Sequence, residues 1–297
     1  MLAGGTGGAK LARGMADEVG EQLVVIANTG DDVEVHGGYV SPDPDLVLYW
    51  LADRIDERGW GLRDDTFVVM DALRELGEEV WFNLGDRDLA VCLQRARRLG
   101  EGARMTETLA ELAQALGVAA RVLPPSDTAI RTHVRARGDW FGFQEFMIGE
   151  GAKGPVEGVE VLGASSAHAT PEVLEALERA RAIVIGPSNP VISIGPILAV
   201  GGLADALRET EAPVVAVPPL VRGKVLKGPT DIFMEWAGHP LSADGICAHY
   251  AGLIDGLVSD ERASGVPTLE TDVEMGDADA RRRVAREALN FAAALRG

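Results

Sequence analysis

Positive charge is scarce in this 297-residue chain: 28 Lys and Arg stand against 46 Asp and Glu, for a formal net charge of -18. Such a surface repels nucleic acid and anionic membrane. It also repels a phosphorylated substrate unless a metal or a local basic group offsets it. Lysine occurs only at Lys10, Lys153, Lys224 and Lys227. Cysteine is nearly absent. Cys92 and Cys247 cannot form a disulfide framework, and neither stands in a metal-ligand spacing. The five tryptophans are scattered, which suits core packing better than a cofactor stack. No apolar run approaches the roughly 20 residues of a membrane span. Met1 runs almost directly into glycines, so no secretory signal is expected and a soluble cytoplasmic protein is the default. His133, His168, His239 and His249 form no ligand pair by spacing, and no Ser/His/Asp or Cys/His set is arguable.

Apolar residues are plentiful, at 46 %, and their pattern predicts an α/β fold. The expected architecture is a Rossmann-like three-layer sandwich with a mainly parallel sheet and a small β-rich insertion. Residues 1–3 read as the end of a strand, 4–8 as a glycine loop and 9–19 as a helix. Only three residues precede Gly4, so this strand is short, and a start upstream of Met1 would complete it. A second strand is expected over 23–27, and helices over 45–55, through Leu76 after an Asp64-Asp65-Thr66 cap, over 87–99 and over 106–116. Short alternating segments at 121–123, 132–135 and 140–146 read as strands. We place the insertion at 123–162 and the catalytic core at 1–122 and 163–297. Thr170-Pro171 starts a helix. The apolar runs 182–186 and 213–217 suit parallel strands covered on both faces, and 278–295 closes the chain as a helix.

Five segments can carry chemistry. Asn28 to Asp45 gathers Asp31, Asp32, Glu34, Asp43 and Asp45 behind the second strand. Crowded carboxylates repel, so a fold that gathers them needs a cation or hydrogen-bond donors in return; a solvated acidic loop is the plain alternative. His36, among them, is read as a loop hydrogen-bonder rather than a ligand. Gly4-Gly5-Thr6-Gly7-Gly8-Ala9-Lys10 lets backbone amides approach a phosphate at a helix start. It fits neither the dinucleotide pattern, because Lys10 stands where Gly or Ala is needed, nor the P-loop spacing. Asp86-Arg87-Asp88 after Gly85 either caps a helix or holds a metal, hydroxyl or phosphate. Gly186-Pro187-Ser188-Asn189-Pro190 follows a buried strand, where ligands bind in doubly wound sheets. Arg222 to Lys227 is a basic stretch that could meet a diphosphate.

In order along the chain, these segments resemble one family. Gly4 to Lys10, Asn28-Thr29-Gly30-Asp31-Asp32, Ser41-Pro42-Asp43-Pro44-Asp45, Leu84-Gly85-Asp86-Arg87-Asp88-Leu89-Ala90, Pro125-Ser126-Asp127, Phe143-Gln144-Glu145 and Gly186 to Leu198 are similar to the motifs of the 2-phospho-L-lactate transferases of coenzyme F-420 biosynthesis. The resemblance implies an enzyme that moves a phospho-three-carbon acid (lactyl, enolpyruvyl or glyceryl) from its GMP-linked diphosphate to the deazaflavin Fo, releasing GMP. It also implies Mg2+ and a homodimer. On that footing Asp31 with Asp43 or Asp45 is expected to hold Mg2+, and Asp31 or Asp45 to act as the base. Asp45, Asn83, Asp86, Arg87 and Asp88 are expected to face Fo. Gly4, Gly5, Thr6, Gly7, Gly8, Lys10, Ser188 and Asn189 are expected to cradle the nucleotide. Glu34 is left as surface. The chain departs from the pattern at Leu46, Asn83, Val91-Cys92 and Thr128. A non-catalytic nucleotide-sugar-binding regulator of the same fold is the alternative; it would not be expected to carry the 84–90 and 143–145 segments.

Overall fold

Short apolar strands, covered on both sides, form the main sheet. The computed structural model describes residues 1–296. The chain begins with β1 (Leu2–Ala3), α1 (Gly5–Val19) and β2 (Val24–Ala27), then a hairpin of β3 (Val33–Val35) and β4 (Gly38–Val40). Helices α2 (Pro42–Leu51), α3 (Val68–Glu75), α4 (Asp86–Gly100) and α5 (Met105–Leu116) lead to β5 (Arg121–Leu123). An antiparallel group follows: β6 (Arg131–Ala136), β7 (Asp139–Gly142) and β8 (Val156–Leu162). The chain then runs through α6 (Pro171–Glu178), β9 (Ile183–Ile185), α7 (Gly195–Leu198), α8 (Leu203–Glu209) and β10 (Val214–Ala216). A small hairpin, β11 (Leu220–Val221) and β12 (Lys224–Val225), precedes α9 (Thr230–Trp236) and α10 (Ala243–His249). Strands β13 (Gly256–Ser259) and β14 (Thr268–Glu270) and the helix α11 (Ala278–Leu295) complete it.

Seven strands form the central sheet in the order β14-β13-β10-β9-β1-β2-β5, and every pairing is parallel. Side chains alternate between its two faces. Ile183 and Ile185 join Val173, Leu177, Leu203 and Leu207 on one side. Val184, between them, joins Leu11, Met15, Val47, Leu109 and Val284 on the other. Each such side chain, fully buried, contributes roughly 1.5–3 kcal/mol. Helices on both faces are therefore required, and the α/β fold read from the sequence is the one observed.

The order reverses at β1. From there the chain moves outward through β2 to β5 in one direction, and through β9, β10, β13 and β14 in the other. Loops on the carboxyl side of β1 and β9 diverge, and a crevice opens between them. The antiparallel sheet packs beside it, its core of Val134, Phe143, Phe146 and Val156 shared with Val191, Ile192 and Phe233.

Local expectations shift in three places. The glycine loop is already helix from Gly5. Glycine disfavours a helix by about 1 kcal/mol per residue, but burial of Leu11, Ala12 and Met15 on the inner face outweighs that. The helix expected over 45–55 starts at Pro42, because proline at the first position is preorganised for it. The strand expected over 140–146 stops at Gly142, and Glu145–Gly149 is a π-helical turn.

Candidate active site

The crevice beside β1 is lined by close-packed backbone. A Cβ on Gly7 would lie 2.1 Å from the Pro187 carbonyl oxygen, and one on Gly4 would lie 2.6 Å from Ser193 Cβ. These glycines are therefore demanded by the approach of the β9 loop, whatever they bind. Ser188 locks the two loops together: the Gly4 amide donates to its Oγ at 3.0 Å, and that hydroxyl donates to the Gly4 carbonyl at 2.7 Å. Asn189 is also engaged, accepting from the Val191 and Ile192 amides to cap the turn that follows. Both residues shape the crevice, and Ser188 is buried within it.

Asp31 and Asp43 come together beneath the first turn of α1. The Gly5 amide donates to Asp43 Oδ1 at 2.6 Å, and Asn28 Nδ2 donates to Asp43 Oδ2 at 3.0 Å. Asp31 is just as buried, yet its Oδ1 has no hydrogen-bond partner among the described residues. Burial first, and then the Asp43 charge, raise the Asp31 carboxyl well above the usual carboxylate range. Burial raises Asp43 to about 6, against the opposing Asn28 and Gly5 hydrogen bonds. Next to them, Asp32 accepts from the Ser41 hydroxyl at 2.6 Å, leaves Oδ2 unpartnered, and is raised by burial to about 7. The neighbouring antiparallel sheet closes on this loop: the Thr132 amide donates to the Gly30 carbonyl at 2.7 Å and Gln144 Nε2 to the Asp31 carbonyl at 3.2 Å. Glu34 is exposed, and His36 Nε2 donates to the Phe82 carbonyl at 2.9 Å.

Asp45 does not join that pair. Two residues along α2 from Asp43 it turns the other way, to the fully buried Arg95 of α4. Arg95 donates to both carboxylate oxygens, Nη1 to Oδ2 at 3.1 Å and Nη2 to Oδ1, and also donates to the Tyr39 carbonyl at 2.9 Å. Asp88 accepts from the Tyr49 hydroxyl at 2.7 Å and is raised to about 7, by burial first and then by the Asp45 charge. Oxygens of Asp45 and Asp88 and the Cys92 sulfur lie within 4.8 Å of one another. With Arg95 already on Asp45, this set is compensated without an ion. Asp45, expected as a metal ligand, has a guanidinium on both its oxygens here.

Asp86 is likewise engaged. The Thr66 hydroxyl and the Val68 and Val69 amides all donate to it, at 2.5, 3.1 and 3.0 Å, so it caps α3. The Thr66 bond, more than any other group, holds its carboxyl below the usual range. Asp65 returns the favour from the other side, accepting from the Arg87 and Asp88 amides at the start of α4. The expected local cap at 64–66 is thus a pair of caps exchanged between segments. Asn83 accepts from Arg74 at 2.9 Å, and Arg87 is exposed.

On the opposite side of the glycine turn lies a cleft of about 510 Å³. Thr6, Gly7, Lys10, Trp50, Lys227 and Glu274 are among its walls. The amides of Thr6 and Gly7 fall in the helix's first turn, where no intrahelical acceptor exists. Lys10 Nζ lies 5.9 Å from the centre of the Trp50 ring. Sequence reading missed Trp50, Arg95, Tyr49 and Asp65 as parts of this region. The one available signal was Asp65 in the Asp64-Asp65 pair; Arg95 sits in an ordinary amphipathic helix and gives none.

A family profile described as "2-phospho-L-lactate transferase CofD" matches residues 1–289. A 2-phospho-L-lactate transferase from Methanosarcina mazei is 38 % identical, with 88 % of this chain and 86 % of the relative covered. A phosphoenolpyruvate transferase from Streptomyces griseus is 37 % identical over 100 % of this chain and 98 % of its own length. Among solved structures, protein BH3568 from Bacillus halodurans superposes with a TM-score of 0.64 at 19 % identity, covering 97 % of this chain and 98 % of that one. That likeness concerns the fold alone.

Proposed function

The chain belongs to the 2-phospho-L-lactate transferase family and is a transferase of coenzyme F-420 biosynthesis, and from that premise we propose that it moves a phospho-three-carbon acid from a GMP-linked diphosphate to Fo. The observation that carries this reading is the Asp31–Asp43 pair, with its unpartnered buried oxygen, set against the amide end of α1. Two crowded carboxylates with few donors are stable in ionised form only beside a cation. Their hard oxygen atoms fit Mg2+, and Asp31 and Asp43 would hold it. When bound, the ion would neutralise charge on the donor's diphosphate.

The chain's own groups do the rest. The nucleotide lies in the cleft beside Lys10, and the first-turn amides of α1 face its phosphates. The Fo alcohol approaches from the Asp31 side, where an ionised carboxylate accepts its proton. Asp45 keeps α2 in place through Arg95 instead of touching the reacting atoms. Asn83 and Arg87 remain the groups proposed to meet Fo, while Asp86 caps α3 and Asp88 is held by Tyr49. Positioning and charge neutralisation supply most of the catalysis in such transfers. We extend the proposal to a homodimer and a cytoplasmic location on family likeness alone; no described helix is long and apolar enough to cross a membrane.

The test is direct. Incubation with Fo, Mg2+ and each of the three guanylylated acids should release GMP with at least one. Mass spectrometry of the deazaflavin product then identifies the acid. No GMP release with any of the three would overturn the proposal.

A further inference from the structure

Two lysines from distant segments meet at the cleft, whose other charged walls are Arg58 and the acids Asp56, Glu57 and Glu274. Two of only four lysines, Lys10 from α1 and Lys227 from the loop after β12, line it together. Arg281 of α11 stands directly behind, its guanidinium 5.0 Å from the Trp50 ring centre and so on the same indole as Lys10. That helix is docked tightly enough that a Cβ on Gly14 would lie 2.4 Å from the Arg281 carbonyl oxygen. Lys227 reaches toward the 56–61 loop, its Nζ 3.5 Å from the Arg58 carbonyl. Burial disfavours the Lys10 ammonium most; Arg281 and Lys227 disfavour it further, and Glu274 opposes them. Neither Lys10 nor Lys227 forms an ion pair among the described residues, so both ammonium groups are open to an anion that enters the cleft. A cavity of about 510 Å³ suits an organic ligand of drug size rather than a lone inorganic ion.

We infer that Lys227 is a catalytic residue of the transfer, closing with Lys10 on the phosphate that departs with the nucleotide. This rests on the transferase reading above. In the transfer, a bond forms between the Fo alcohol oxygen and the phosphorus that bears the three-carbon acid. The bond from that phosphorus to the bridging oxygen breaks, and its electron pair stays on the bridging oxygen. The alcohol's proton passes to a site carboxylate. The nucleotide leaves as a monophosphate carrying one more negative charge than it had in the donor. Two ammonium groups facing that phosphate interact more strongly with it as the charge grows, which lowers the barrier rather than merely tightening binding. Arginine at 227 would keep the charge but spread it over a plane.

The experiment uses the full chain, with GMP and guanosine as probes in calorimetry and GMP release as the kinetic readout. Lys227 is exposed, so Lys227→Gln should melt at the parent temperature. Expected results are an approximately tenfold weaker affinity for GMP, an unchanged affinity for guanosine and a larger fall in kcat than in affinity. Lys227→Arg should recover part of both. If the parent prefers GMP to guanosine and Lys227→Gln retains that preference and the parent kcat, the role of Lys227 is overturned while the transferase reading stands. If the parent binds neither GMP nor guanosine, both fall together.

Discussion

Two groups of buried carboxylates lie within one helical turn of each other and are built in opposite ways. Asp45 and Asp88 are satisfied by side chains from a neighbouring helix and from α2 itself: Arg95 grips Asp45, and Tyr49 donates to Asp88. Asp31 and Asp43 have only a backbone amide and one asparagine, and an oxygen of Asp31 is left over. Both groups are at least nine-tenths buried. Burial alone therefore does not mark the site; what marks it is burial without compensation. A fold retains such a group where a ligand completes it.

Three measurements bear on this contrast. The largest effect is expected in the compensated group. Arg95→Ala leaves Asp45 buried without its partner and should cost about 3–5 kcal/mol of stability, read from denaturant unfolding. A loss below about 1 kcal/mol would mean that Asp45 finds other compensation and that the contrast is weaker than drawn. In the uncompensated group the expected sign of the stability effect reverses. Asp31→Asn removes a carboxyl whose ionisation burial disfavours and should leave the melting temperature equal or higher, while GMP release falls on the order of 100-fold. Parent-level turnover in this variant would place the reacting centre elsewhere.

The smallest effect is a slope. The Asp88 carboxyl is raised in the folded chain from 3.8 to about 7. The folded state thus keeps its proton longer than the unfolded state does. This group's contribution to stability is fully present below pH 3.8 and is lost as pH rises through about 7. Asp88→Asn should remove that loss, so its stability relative to the parent should improve between pH 4 and pH 7. Parallel stability curves for the two proteins over this range would show that Asp88 does not titrate as the folded structure implies.

Much of this was legible in residue order. The continuous apolar runs at 182–186 and 213–217 required a sheet covered on both faces, and the strand–helix rhythm required parallel pairing. Thr170 before Pro171 caps α6 as expected, its hydroxyl accepting from the Val173 amide at 3.2 Å. The boundaries that were misplaced have different causes. At Gly5 local propensity was overridden by tertiary burial of α1, whereas at Gly142 a local contact ends the strand, Glu145 folding back to accept from the Gly142 amide.

The acids divide along the same line. Sequence by itself established that carboxylates crowd behind β2, that a glycine segment follows β1, and that the chain belongs with enzymes sharing this order of motifs. These are properties of neighbours along the chain, and periodicity and spacing report them. Which acids are free was settled only in three dimensions. Asp43 and Asp45 are two residues apart at a helix start, so their side chains diverge by about 200°, given 3.6 residues per turn. One meets the end of α1 and the other meets Arg95, and nothing local foretells either partner. The same holds for positive charge: lysines from α1 and from beyond β12 converge only when the sheet reverses its order at β1.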